Sequence, residues 1–449
     1  MVSLRSLRNK TDWRKAAPAI FLVLNSFVWY ILTYTVFADV VNALKLTGIE
    51  NVEVFATYFA SVAIMAIIGS KYLPRVRTRS LYLWSFFGAF TTLLLGALSS
   101  QNMLINALIA FSLGASVGIG LPSCLSYFAE SSTIETRGLS GGLTWSGVGF
   151  AVLIFAFFLT ILGNWQAFIF LAIWRLIGGV GFLGLNRKFK KHSPTQESQK
   201  SPSYFDLIRK REILLYLFPW IMFSLINFAE YPILENVFGA NSFAFIQLVE
   251  FAIIGIFAVV GGIVADIFGR KRVVIAGFIL FGIEYAVMSL LFYSHDVVYL
   301  YLIFDGTTWG LLASVFFTSV WGDLGENQVK EKYYALGGLP YLLSNFMAII
   351  IEPYAKNIST GLAFSIASFF LFMAVIPLMY APETLPEKSM KERELKSYIE
   401  KAQKLVQKET GKNKDQDVEK TKKEDAEAKE ETRESIEDEE ARKLAEKYY

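Results

Sequence analysis

Twelve stretches of about twenty predominantly apolar residues follow one another between residues 17 and 380, and they restrict the fold more than any other feature of the chain. A helix needs roughly 20 residues to cross ~30 Å of hydrocarbon, and a helix can satisfy its own backbone there. The stretches lie at 17–41, 52–72, 80–98, 103–128, 138–162 and 165–185, then at 213–234, 243–268, 272–292, 297–321, 333–351 and 361–380. The expected fold is an all-α polytopic membrane protein with twelve transmembrane helices in two groups of six.

Composition agrees, since 54% of the 449 residues are hydrophobic, about what twelve spans require. About 37 of the 83 charged residues lie beyond Pro382, so the body is more apolar than the average suggests, and a soluble globular domain is excluded. A net charge of +3 gives no reason to expect a nucleic-acid partner, because the basic residues sit between apolar runs and not in one patch. Cys124 is the only cysteine, and His192 and His295 stand far apart, so neither a disulfide nor a bound metal or other cofactor is expected. The first apolar stretch follows Arg5, Arg8, Lys10, Arg14 and Lys15 but is too long for a signal peptide and is read as the first helix.

Positively charged loops are retained in the cytoplasm. Alternate connections carry Lys71, Arg75, Arg77 and Arg79; Arg137; Arg187, Lys188, Lys190 and Lys191; Arg270, Lys271 and Arg272; and Lys330 and Lys332. The opposite loops hold little more than Lys45 and Lys356. Both termini are therefore expected in the cytoplasm of a multi-pass protein of the cell membrane. The expected organisation is a cytoplasmic N-terminus (1–16), a first bundle (17–186), a cytoplasmic linker (187–212), a second bundle (213–381) and a charged tail (382–449). Ser203 and Asp206 could start a short helix in the linker, the alternative being a plain flexible connection. In the tail, Leu395, Ile399, Ala402 and Val406 keep helical spacing, which predicts an amphipathic helix over 387–410, either a docking element or a solubilising extension.

The most specific local pattern is Gly262-Ile-Val-Ala-Asp266-Ile-Phe-Gly269-Arg270-Lys271-Arg272, at the turn between spans eight and nine. Gly262 permits close helix approach, Gly269 a tight reversal, and Asp266 can accept from a helix N-terminus or a basic side chain. The pattern resembles the loop motif of the major facilitator superfamily. Its first-half counterpart keeps Gly69 and Arg77 but has Leu73 in place of the aspartate. Tyr127-Phe-Ala-Glu130 followed by Arg137-Gly138, echoed by Asp323 and Lys330, and Pro382-Glu383-Thr384 are similar to motifs of the sugar porter branch. The resemblance implies a secondary transporter, with Glu130, Arg137, Gly262, Asp266, Gly269, Arg270 and Asp323 forming a gate at the cytoplasmic end.

Ionisable groups inside spans are costly and usually functional, about 2.5 to 3.5 kcal/mol each on insertion scales. Here they are Asp39, Glu230, Glu250, Glu284, Asp305 and Arg175. The resemblance places helices one, four, seven and ten around the solute, which selects Asp39, Glu230 and Asp305 for solute or proton, with Phe37-Ala-Asp39 similar to the first-helix aspartate of proton-coupled porters. It puts Glu284 and Arg175 on helices that face lipid, where local packing and a part in transport are equally open. Trp29, Tyr30 and Tyr34 on helix one and Trp309 on helix ten are the aromatic side chains chosen as stacking walls. Helix seven offers Asn227 and Tyr231 where sugar porters carry a glutamine pair, and helix five lacks the proline of drug antiporters.

These features predict alternating-access transport of a small polar solute (a sugar, polyol or organic acid), coupled to a proton, by a monomer in the bilayer. The alternative is a non-transporting sensor of the same fold that signals through its tail. No nucleophile–base constellation or phosphate loop points to an enzyme.

Overall fold

The computed structural model describes residues 11–189, 202–294, 296–326 and 328–386, with 395, 399, 426, 428–433 and 435–443 of the tail. Twelve long helices carry the chain: α1 Trp13–Ala43, α2 Gly48–Tyr72, α3 Arg77–Leu94, α4 Met103–Ser131, α5 Arg137–Thr160, α6 Asn164–Phe189, α7 Arg211–Phe238, α8 Ala240–Phe268, α9 Arg270–Leu291, α10 Val297–Leu312, α11 Lys330–Ile351 and α12 Thr360–Tyr380. No strand occurs among the described residues. The apolar stretches form one continuous helical run from Gly48 to Ala97, 50 residues long. Such a rod would measure about 75 Å. It breaks at the 3₁₀ turn Leu73–Val76, which carries Pro74, so α2 and α3 are separate crossings and the total is twelve.

The helices overrun the predicted spans by several residues because their first turns are polar. Thr47 accepts from the Glu50 amide at 3.4 Å while the Glu50 carboxylate takes the Thr47 amide at 2.9 Å, a capping box that starts α2. Asn102 caps α4 by accepting from Ile105 at 3.1 Å. The turns after α7 and α8 need a left-handed backbone, and glycine supplies it: Gly239 has φ +81° and Gly269 φ +105°.

Helices α1 to α6 form one bundle and α7 to α12 the other, with α2 packed on α4, α3 on α6, α8 on α10, and α9 on α12. The halves meet along α5 and α8 and along α2 and α11. Outward faces present apolar side chains at helical spacing, such as Leu362, Ile366, Phe369, Met373 and Ile376 on α12, the stripe expected to meet lipid tails. The linker contains a short helix, Tyr204–Arg209, with Ser203 accepting from the Phe205 amide at 3.3 Å and Asp206 in its first turn. Residues 190–201 of the linker, with the basic Lys190 and Lys191, lie outside the described residues, as does His192.

The described residues beyond 390 belong to a unit of their own. Of the predicted helix at 387–410 only Leu395 and Ile399 are described, both helical and exposed. Farther on, 428–433 and 435–443 are exposed helix with the i,i+4 pair Lys443–Glu439 at 3.0 Å.

Candidate functional site

At the end of the bundle where the basic loops lie, charged side chains from both halves interlock. Arg137, at the start of α5, pairs with Asp323 across the interface and donates to the Ala129 carbonyl at 2.7 Å. Asp323 also receives Nε of Arg270 at 3.1 Å, so one carboxylate joins an arginine of each half. Asp266 accepts the backbone amides of Gly138 at 2.9 Å and Leu139 at 2.7 Å, capping α5 from the other half, and meets Arg270 at 2.9 Å. Asp323 and Asp266 carboxylates, Arg137 and Arg270 are all buried.

That capping requires close helix approach. A Cβ on Gly262 would stand 2.1 Å from the Gly138 carbonyl oxygen, and the tight crossing continues through Gly142 against Ala258 and Gly149 against Phe251. Gly138, Gly142 and Gly149 thus form the α5 side of the crossing between halves.

The symmetry-related corner is built differently, and Leu73 is the reason. In the second half Asp266 caps the opposing helix; a leucine cannot cap α11 in return. Arg77 instead forms ion pairs with Glu331, in the first turn of α11, and with Glu130. Glu130, predicted for the gate, thus reaches Arg77 and not Arg137. Two participants escaped sequence reading. Glu331 is fully buried yet looked like part of a mixed-charge loop. Glu383 accepts the amides of Arg270 at 2.8 Å and Lys271 at 3.2 Å, capping α9 beyond the Gly269 turn, while Thr384 donates to Asp323 at 3.3 Å. The Pro-Glu-Thr motif was the available sign of it.

Midway along the helices an aromatic layer spans both halves. Tyr341 of α11 lies 4.7 Å from Phe317, 5.7 Å from Trp309, 5.8 Å from Phe228 and 6.5 Å from Tyr30, ring centre to ring centre. Phe27 and Trp145 reach Phe317 from the first half at 5.7 and 5.1 Å, and Phe59 meets Phe346 at 5.5 Å. Phe317 belongs to a π-helical stretch, Ala313–Val320, that continues α10 and is wholly buried. The wider turn sets the adjacent Phe316 on Trp220 at 4.5 Å inside the second half while Phe317 meets the first. Nothing in the sequence signals it.

Trp309 is in this layer, and Tyr34 is half-buried beside it, 5.6 Å from Tyr58 and 5.8 Å from Phe59. Trp29 is not. It donates to Thr92 at 2.8 Å and its ring lies 4.7 Å from the Arg175 guanidinium, so its contacts are within the first bundle. Asp39 is exposed near the end of α1. Asn227, Glu230 and Asp305 are buried.

Several buried polar atoms have no hydrogen-bond partner of normal geometry: Thr33 on α1, Ser123 and Ser126 on α4, Ser224, Asn227 Nδ2 and Glu230 Oε2 on α7, and Thr308 on α10, while Tyr30 and Asp305 keep only looser contacts, to Asn345 and to Glu250 and Tyr301. Such orphans are rare in folded proteins and ask for an explanation. Among the described residues no cluster is arranged to hold a metal ion.

Arg175 and Glu284, on helices expected to face lipid, both turn inward and lie in different halves. Arg175 donates to Asn25 at 3.0 Å and Ser26 at 2.7 Å between the rings of Trp29 and Trp84.

The sequence profile of the Major Facilitator Superfamily matches residues 19–328. No curated protein matches the chain significantly. Among solved structures, the proton:xylose symporter XylE bound to 6-bromo-6-deoxy-D-glucose superposes with a TM-score of 0.59 at 14% identity, covering 83% of this chain and 96% of the symporter. The human organic anion transporter MFSD10 (TETRAN) gives 0.59 at 13% identity over 82% of this chain and 100% of its own. Their fold is this fold, and the profile match spans well over half the sequence: the protein belongs to the Major Facilitator Superfamily of membrane transporters.

Proposed function

We propose that the protein moves a small polar solute across the cell membrane by alternating access, coupled to a proton, with the basic end and both termini in the cytoplasm. The observation that carries this reading is the set of unpartnered buried polar atoms on α1, α4, α7 and α10 beside the aromatic layer. Hydroxyls, an amide and carboxyls of this kind gain partners when a hydroxylated or carboxylated solute enters, which would turn an unfavourable burial into binding energy. Asn227, Trp309 and Tyr34 would hold the solute, with Glu230 and Asp305 beside it, and Asp39 would stand at the outer mouth of α1. The interlocked charges of Asp323, Asp266 and Arg77 close the cytoplasmic end and hold an outward-facing arrangement. XylE being a proton:xylose symporter and MFSD10 an organic anion transporter, both solute classes are natural first candidates.

Thermal unfolding of the purified protein with sugars, polyols, carboxylic acids, amino acids and phosphate, at two pH values, tests this. A solute at a hundred times its dissociation constant adds about 2.7 kcal/mol to stability, so the true class should raise the midpoint by several degrees. No shift with any class would count against a polar solute and favour the sensor reading; net solute flux into vesicles would exclude the sensor.

A further inference from the structure

Three carboxyl side chains converge inside the second half, Glu250 of α8, Glu284 of α9 and Asp305 of α10, and a fourth, Glu230 of α7, shares the neighbour Tyr285 with Glu284 and Asp305. Glu250 neighbours Asp305, Glu284 neighbours both, and the Tyr285 hydroxyl stands among Glu230, Glu284 and Asp305. Tyr231, Tyr301 and, from α11, Tyr341 complete the surroundings. All four acids are at most 6% exposed. Both oxygens of Glu284, both of Asp305 and Oε2 of Glu230 have no hydrogen-bond partner of normal geometry. No lysine, arginine or histidine among the described residues pairs with any of the four.

Charges so placed repel one another in a medium that screens poorly, and a carboxylate stripped of water and of partners is one of the costliest groups to bury. Within the chain Asp305 has only Glu250 and Tyr301 in hydrogen-bonding reach, and two carboxyls in such contact need a proton on one of them. The acids are not arranged to hold a metal ion, which leaves the smallest cation. Access is at hand. The four lie about 10 to 15 Å, counted along their helices, from the end opposite the basic loops. A cavity of about 850 Å³ opens at that end; the four acids do not line it, and its lining comes within one residue of Glu250 at Val249 and within one turn of Asp305 at Leu302.

We propose that Glu230, Glu250, Glu284 and Asp305 form a proton-binding site within the second half, one helical turn from Asn227 and Thr308 of the solute site. The site rests on the transporter reading for its use, and it assigns the coupling proton to α8 and α9 as well as to α7 and α10. One or more protons are shared among the acids, and loss of the first makes loss of the next harder.

Infrared difference spectroscopy of the full chain in lipid vesicles, stepped in pH, reads protonated buried carboxyls directly and requires no solute. The wild type should show such a band and lose it as pH rises. Glu250→Gln and Glu284→Gln should each remove part of it and displace the titration of the remainder, whereas Glu235→Gln, at an exposed position, should leave it intact. A band that neither variant diminishes overturns the proposal, as does a band discharged by sodium at constant pH. Should either variant fail to fold, Asp305→Asn and the sodium arm decide. A titrating band without solute flux would refute the transporter reading alone; flux without the band would refute this site alone.

Discussion

Replacing Asp323 by asparagine is expected to open the basic end of the molecule. The side chain holds Arg137 of the first half and Arg270 of the second, and both guanidinium groups are buried. Taking the charge from one partner of a buried ion pair costs about 3 kcal/mol or more, because the remaining charge stays out of water. In the open arrangement the same groups meet water, so the penalty falls on the closed state alone. Three kcal/mol is roughly a hundredfold in the ratio of closed to open molecules. The readout is the modification rate of a cysteine at position 140, buried on α5 three residues from Arg137, in a Cys124→Ala background, since the native thiol is itself buried. Asp323→Asn should raise that rate from the basic side by up to about two orders of magnitude. An unchanged rate would mean that the interlocked charges merely hold helix ends together.

What the sequence made legible was what short windows encode. The length of each apolar run gives twelve crossings, and the Gly262 to Arg270 segment marks the turn, the close approach and the capping aspartate by residue type and spacing, although the groups that Gly262 and Asp266 meet, Gly138 and Leu139, lie in the other half. Pairing between the halves is not local. Glu331 lies 254 residues from its partner Arg77, and nothing in the Lys330-Glu331-Lys332 triplet says that its middle member is buried. Facing was the other loss. Helices apolar on every side offer no stripe by which to orient them, so Trp29 was placed on the solute wall although its partners are Thr92 and Arg175, and Glu284 on a lipid-facing helix although it turns inward. The π-helical stretch of α10 adds a register change that no 3.6-residue pattern announces.

Glycine substitutions along α5 and α8 separate the contribution of helix approach from that of charge. Gly262→Ala places a methyl 2.1 Å from the Gly138 carbonyl oxygen and 3.2 Å from the Gly142 Cα, and neither is a flexible side chain that could move aside. The helices must part, and overpacking of this kind costs about 1 to 3 kcal/mol. Parting them also lengthens the bonds from the Gly138 and Leu139 amides to Asp266, so the cost concentrates in the closed state. Gly338→Ala is the opposite case: the added methyl meets only Leu342 Cδ1 at 4.0 Å within α11. There the intrinsic preference of a helix for alanine, up to about 1 kcal/mol, should appear as a gain. The expected pattern is a lower thermal midpoint and faster labelling at position 140 for Gly262→Ala, against an equal or higher midpoint and unaltered labelling for Gly338→Ala. Equal behaviour of the two variants would show that the α5–α8 crossing adapts to a methyl group, and closure would then rest on the ion pairs of Asp323, Asp266 and Arg77 alone.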